Sequence, residues 1–216
     1  MEHFESWKDL VNPEFYIKLG GFWLVLLIVF AESGLFFGFF LPGDSLLFIS
    51  GIYSTTIISE TFGETGSDLL NTTILAVTVG FAAILGDSVG YWFGSKSGQK
   101  LYQKKESFFF KRSYLLKAQQ FYEENGAMAI IIARFLPMIR TFAPIVAGIV
   151  KMDSKKFFLY NIIGGLLWSF SLIFAGHYLD KLFIDQFGID LKKHLEYIII
   201  GLIVVTTTPV IIKALK

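Results

Sequence analysis

Three stretches of the sequence each hold about 20 predominantly apolar residues, the length an α-helix needs to cross a hydrocarbon layer roughly 30 Å thick. They are 72–94 (TTILAVTVGFAAILGDSVGYWFG), 157–179 (FFLYNIIGGLLWSFSLIFAGHYL) and 195–215 (LEYIIIGLIVVTTTPVIIKAL). Lipid offers no partner to a backbone N–H or C=O, so such runs can only cross as helices that satisfy their own hydrogen bonds. A fourth run, 15–31, is slightly short but can serve, and Pro209 should kink or end the last. Composition agrees: 54% of the 216 residues are hydrophobic and 17% charged, where soluble domains carry about a quarter charged residues. One membrane domain over 1–216 is expected. The run 15–31 lacks a basic leader and a small-residue cleavage site, so it reads as a retained span.

Two further apolar stretches are broken in the middle. Residues 34–52 (GLFFGFFLPGDSLLFISGI) are interrupted by Pro42-Gly43-Asp44, and 127–150 by Pro137. The arm before each break spans about 12–15 Å as a helix, half the hydrocarbon thickness. Both therefore read as re-entrant hairpins that dip to the midplane and return. The alternative is six full spans kinked at proline. Basic residues separate the two: with re-entrant hairpins and a cytoplasmic N-terminus, fourteen Lys and Arg lie inside and three outside, whereas the better six-span orientation gives ten and seven. The positive-inside rule favours the hairpins, with both termini cytoplasmic and 53–71 outside. The hairpins then enter from opposite faces, each followed by a spanning helix, as in an inverted repeat. Segment 100–125 mixes aromatic and basic residues and suits an amphipathic helix at the cytoplasmic interface, facing anionic headgroups.

Five ionisable residues fall within or beside the apolar segments: Glu32, Asp44, Asp87, Arg134 and Arg140. Charges at this depth are costly and usually face a wet or protein-lined pathway. Asp44 belongs to the first hairpin tip, and Arg134 and Arg140 straddle Pro137 at the second, with Pro144 following. Tips that meet near the midplane would set the acids opposite the arginines. One reading is a static ion-pair lock. The other is a site for a phosphate-bearing substrate, because a guanidinium presents a planar fork of donors matched to phosphate oxygens and stays charged. Glu32 and Asp44 would then neutralise the arginines in the empty site and take up protons when it fills. Asp87, late in its span, suits an interfacial position or a helix partner as well as a supporting role. Gly80, Gly86, Gly90 and Gly94 suit close helix packing.

Several classes fall away. The chain has no cysteine and three scattered histidines, so no metal site or cofactor is indicated. A net charge of +1 argues against nucleic acid. Gly43-Asp44 and Gly86-Asp87 resemble the two carboxylates of an intramembrane aspartyl protease, but no companion signature accompanies them. Ser45 and Ser88 lie in no nucleophile elbow, and no His or Cys stands near either arginine. An enzyme is not expected. A proton-coupled cation antiporter remains as an alternative, though it leaves both arginines without a task. A homo-oligomer is compatible with the chain.

The chain resembles the DedA family of bacterial membrane proteins, related to eukaryotic VTT-domain lipid scramblases. The similarity is carried by RFLPMIRTFAPIVAG (Arg134 to Gly148), ESGLFFGFFLPGDSLLFISG (Glu32 to Gly51) and GDSVGYWFGSKSG (Gly86 to Gly98). It implies an all-α integral membrane fold with four spanning helices and two opposed re-entrant hairpins. It also implies functional roles for Glu32, Asp44, Arg134 and Arg140, with Pro42, Gly43, Asp87, Pro137 and Pro144 in support. The activity implied is a flippase in the bacterial cytoplasmic membrane that moves a lipid phosphate, undecaprenyl phosphate first, with protons as partners. Phospholipids such as phosphatidylethanolamine are the alternative cargo.

Overall fold

The structure, a computed structural model, describes residues 13–34, 43–103, 120, 122, 124, 128–191 and 201. The regular elements among the described residues are all helices: α1 (Pro13–Gly34), α2 (Gly43–Ile52), α3 (Ser54–Phe62), α4 (Asp68–Gln103), α5 (Met128–Arg134), α6 (Pro137–Arg140), α7 (Ala143–Ile149) and α8 (Ser154–Phe187). Pro42 with the first arm of the 34–52 segment, most of 100–125, and all of 195–215 but Gly201 lie outside the described residues.

Among the described residues two helices, Asp68–Gly98 and Ser154–Phe187, are long and apolar enough to cross a membrane. Their outward faces are apolar too. Phe81, Leu85, Val89 and Trp92 form an exposed stripe along α4, and Leu159, Ile163 and Leu167 one along α8. Residues at this three- and four-residue spacing share a helix face. A water-soluble protein would cover such continuous apolar stripes; lipid is the solvent that suits them.

Both helices outrun the apolar segments that forecast them, because polar caps lie beyond. Ser67 Oγ accepts from the Leu70 N–H at 3.4 Å, ahead of α4. Asp153 Oδ1 accepts from the Lys156 N–H at 2.9 Å, ahead of α8. Gly188, at φ 65°, closes α8, with Ile189 N–H donating to Phe183 O and Gly188 N–H to Ile184 O. The run 15–31, expected as one spanning helix, is instead kinked at Gly21 (φ 50°, ψ −135°). The adjacent glycines Gly20-Gly21 make that turn cheap, since no Cβ opposes a positive φ.

Prolines cut the segment between α4 and α8 into pieces. Leu136 is extended (φ −112°, ψ 100°), as a residue before proline prefers, and Pro137 opens α6. Pro144 lies in the first turn of α7.

The chain forms two compact units: Met1–Val29, Leu41–Gly80 and Trp168–Lys216 in the first, Phe30–Phe40 and Phe81–Leu167 in the second. In the first unit nearly all of α2 is buried. It crosses α8 where Gly51 meets the Ile173 backbone and Gly176 meets the Phe48 backbone. Ser54 Oγ joins α3 to Thr72 on α4 (3.0 Å) and to His177 Nδ1 on α8 (3.2 Å). In the second unit α7 crosses α4 where Gly148 meets the Tyr91 backbone and Gly94 meets the Ile145 backbone. Tyr91 also stacks on Phe157 at 4.3 Å and donates to Met152 O at 2.5 Å. A Cβ at any of these four glycines would overlap a carbonyl oxygen. Each unit thus uses one packing device: a short helix laid antiparallel on a long one, with two glycines, each three residues beyond the backbone that the partner glycine touches.

Candidate functional site

The second unit gathers four of the five ionisable residues singled out in the sequence. Arg134 ends α5, and its Nη2 donates to Asp87 Oδ2 on α4. Arg140 ends α6, and its Nη2 donates to Glu32 Oε1 on α1. The Arg134 and Asp87 side chains are each 5% exposed; Arg140 and Glu32 are 10% and 4% exposed. The pairs come together through a close helix crossing. A methyl at Gly34 would fall 2.7 Å from Gly86 O, and one at Gly86 would fall 2.5 Å from Phe30 O. Only bare backbone permits α1 and α4 to approach so nearly, and Glu32 and Asp87 sit beside that crossing. The proline break supplies the arginines: it ends one helix at Arg134 and starts another whose last residue is Arg140.

Asp87 is a helix partner, buried at 3% exposure against an arginine 47 residues away. Glu32 is brought to an arginine. Asp44, expected opposite the arginines as well, lies in the first turn of α2 in the first unit and accepts from Trp168 Nε1 at 3.0 Å. Arg134 itself is held by Asp87. Of the supporting residues, Gly43 begins α2 and is buried, Pro137 begins α6, and Pro144 is buried against α4 near Gly90.

Asn161 was not singled out in the sequence. It is fully buried on α8, and its Oδ1 accepts from Arg134 Nη2 at 2.6 Å while its Nδ2 donates to Ile84 O at 3.1 Å. A lone asparagine inside the apolar run 157–179 was the available signal, because an amide in hydrocarbon needs partners. Two buried polar atoms in the broken segment, Arg134 Nε and Thr141 Oγ1, have no hydrogen-bond partner among the described residues. Beside the site Tyr122 donates to Ala143 O at 2.9 Å. Burial first, and the Asp87 carboxylate second, push its hydroxyl above the ordinary 10.0. No group of three His, Cys, Asp or Glu among the described residues could hold a metal ion.

Apolar faces turned outward and charge pairs sealed inside define an α-helical membrane protein with an internal ionic site. The chain belongs to the DedA family of membrane proteins: the VTT domain matches residues 28–178. It is 40% identical over 193 residues to Protein DedA of Escherichia coli (strain K12), covering 89% of this chain and 81% of that protein. It is 35% identical to an uncharacterized membrane protein of Mycobacterium leprae (strain TN), over 94% of this chain and 86% of the relative. Inner membrane protein YqjA of Escherichia coli (strain K12) is 31% identical, over 82% and 74%. No solved structure matches the chain.

Proposed function

We propose that this protein is a flippase carrying a phosphate-bearing lipid, undecaprenyl phosphate first, across the cytoplasmic membrane. The observation that carries the reading is the pair of arginines buried at a proline-broken point of an apolar unit, each held by a carboxylate. A static lock has no need of a buried Arg134 Nε–H that finds no acceptor among the described residues, which costs about 1–3 kcal/mol if left unmet. A phosphate headgroup brings acceptors. It would displace Glu32 from Arg140, and the released carboxylate would take a proton, so that the site stays near neutral while the lipid chain remains in the bilayer. Asp44 would serve as the second proton-binding acid. Four spanning helices and two opposed re-entrant segments, with both termini cytoplasmic, are the topology in which both arginines reach mid-bilayer. A cation antiporter fits less well, since Glu32 and Asp87 are already committed to arginines.

The test is translocation of a fluorescent prenyl phosphate by purified protein in liposomes, with the proton gradient varied. Arg140→Ala should abolish translocation in folded protein, and Glu32→Gln should flatten the dependence on pH. Wild-type rates from a well-folded Arg140→Ala variant would end the reading. Cation flux in its place would establish the antiporter.

A further inference from the structure

We propose that Asn161 and Gly164 are positioning residues of the phosphate site, aiming the Arg134 guanidinium so that its Nε–H stays open to an anionic oxygen. The inference rests on the reading just given, in which Arg134 meets a phosphate headgroup.

The orientation of the Asn161 amide is fixed from behind. Its Nδ2 donates to Ile84 O at 3.1 Å and lies 3.5 Å from Ser88 Oγ, whose own proton goes to Ile84 O at 2.6 Å. With the donor end spent on α4, the carbonyl end must face Arg134, where it accepts at 2.6 Å. A side chain with no exposure has no rotamer freedom to lose when a ligand arrives. Asp87 and Asn161 both bind the same nitrogen, Nη2. The guanidinium is therefore gripped at one corner, and Nε–H is buried without an acceptor among the described residues.

Gly164 acts from the same face of α8, one turn beyond Asn161. A methyl there would lie 3.1 Å from Arg134 Cδ and 3.5 Å from Nε, and also 3.3 Å from Ile131 Cα. Backbone on one side and the arginine stem on the other leave it little room, so the arginine would have to shift by a few tenths of an ångström. At Gly165 a methyl would approach Cζ to 3.4 Å. The helix thus offers a bare floor under the guanidinium and an amide beside it. With both Nη2 protons taken, what this fixed geometry presents to a phosphate oxygen is a single aimed donor, Nε–H.

The experiment is calorimetric titration of purified protein in detergent with three probes: farnesyl phosphate, farnesol and inorganic phosphate. Wild-type protein should prefer farnesyl phosphate to farnesol, and Arg134→Ala should erase that preference. Asn161→Leu and Gly164→Ala should each weaken farnesyl phosphate about tenfold, the scale of one charged hydrogen bond, with farnesol unchanged. A merely structural lesion would weaken both lipids alike. If folded Asn161→Leu and Gly164→Ala proteins bind farnesyl phosphate like wild type while Arg134→Ala does not, the positioning role is overturned and the phosphate reading survives. If Arg134→Ala keeps the preference, the phosphate reading fails at this arginine and the positioning role with it. Should Asn161→Leu not fold, Gly164→Ala decides alone, because it removes no hydrogen bond. Inorganic phosphate binding as tightly as farnesyl phosphate would overturn a lipid source for the anion.

Discussion

Arg134, Arg140 and Glu32 stand out in the sequence because a charge in an apolar run is expensive and needs a reason. Which acid meets which arginine does not stand out. Asp87 reaches Arg134 across 47 residues of chain, a pairing fixed by how α4 and α5 lie and not by any local spacing. Buried pairs of this kind are costly to break from one side. Asp87→Asn should destabilise the protein by about 3–5 kcal/mol, because it strands a buried guanidinium. Adding Arg134→Gln should recover part of that loss, as read by chemical unfolding in detergent; equal or greater loss in the double variant would count against the coupling. The exposed Lys181–Asp68 pair, at 3.6 Å with both side chains more than half exposed, is the contrast. Lys181→Ala should change stability by less than about 1 kcal/mol in the same measurement.

Among the elements, the helix break at Pro137 follows from local chemistry, and the structure has a helix that begins there; the residues just before Gly43 lie outside the described residues. The kink at Gly21 was carried by a glycine pair whose meaning depends on what surrounds it. The glycines of α4 were legible as packing residues, but not which of them touch a neighbour's backbone. Gly94 is pressed tightly, its methyl falling 2.0 Å from Ile145 O, and Gly90 is not: a methyl there would sit 3.4 Å from the Ile145 side chain and 3.7 Å from Gly34 O, both ordinary contacts. Gly94→Ala should therefore cost about 1–3 kcal/mol by overpacking, while Gly90→Ala leaves the unfolding midpoint nearly unchanged. Equal effects of the two would show that α7 does not lie on α4 as described.

For the whole molecule, the apolar faces of α4 and α8 and the match of the VTT domain to residues 28–178 make this a DedA-family membrane protein. Its topology is open to a direct test, helped by the absence of native cysteine. Single cysteines at Glu64, Glu124 and Lys155 should react with a membrane-impermeant maleimide in cells from different sides. With a re-entrant 127–150 segment, Glu124→Cys and Lys155→Cys are both cytoplasmic and Glu64→Cys is reached from outside. Labelling of Glu124→Cys and Lys155→Cys from opposite sides would mean that the segment crosses fully, and the proposed path for the lipid headgroup would have to be abandoned.

The sequence by itself determined the solvent, the helical class, the break at Pro137 and which charges needed explaining. Each follows from run length, backbone hydrogen bonding in lipid or the cost of an isolated charge, and all of these are local. Only the tertiary structure decided that Asp87 holds Arg134, that Glu32 holds Arg140, and that Asn161 completes the first pair above the bare backbone at Gly164-Gly165. Those choices depend on helix crossings between residues far apart in the chain, where the absence of a side chain at one glycine settles what another helix can reach.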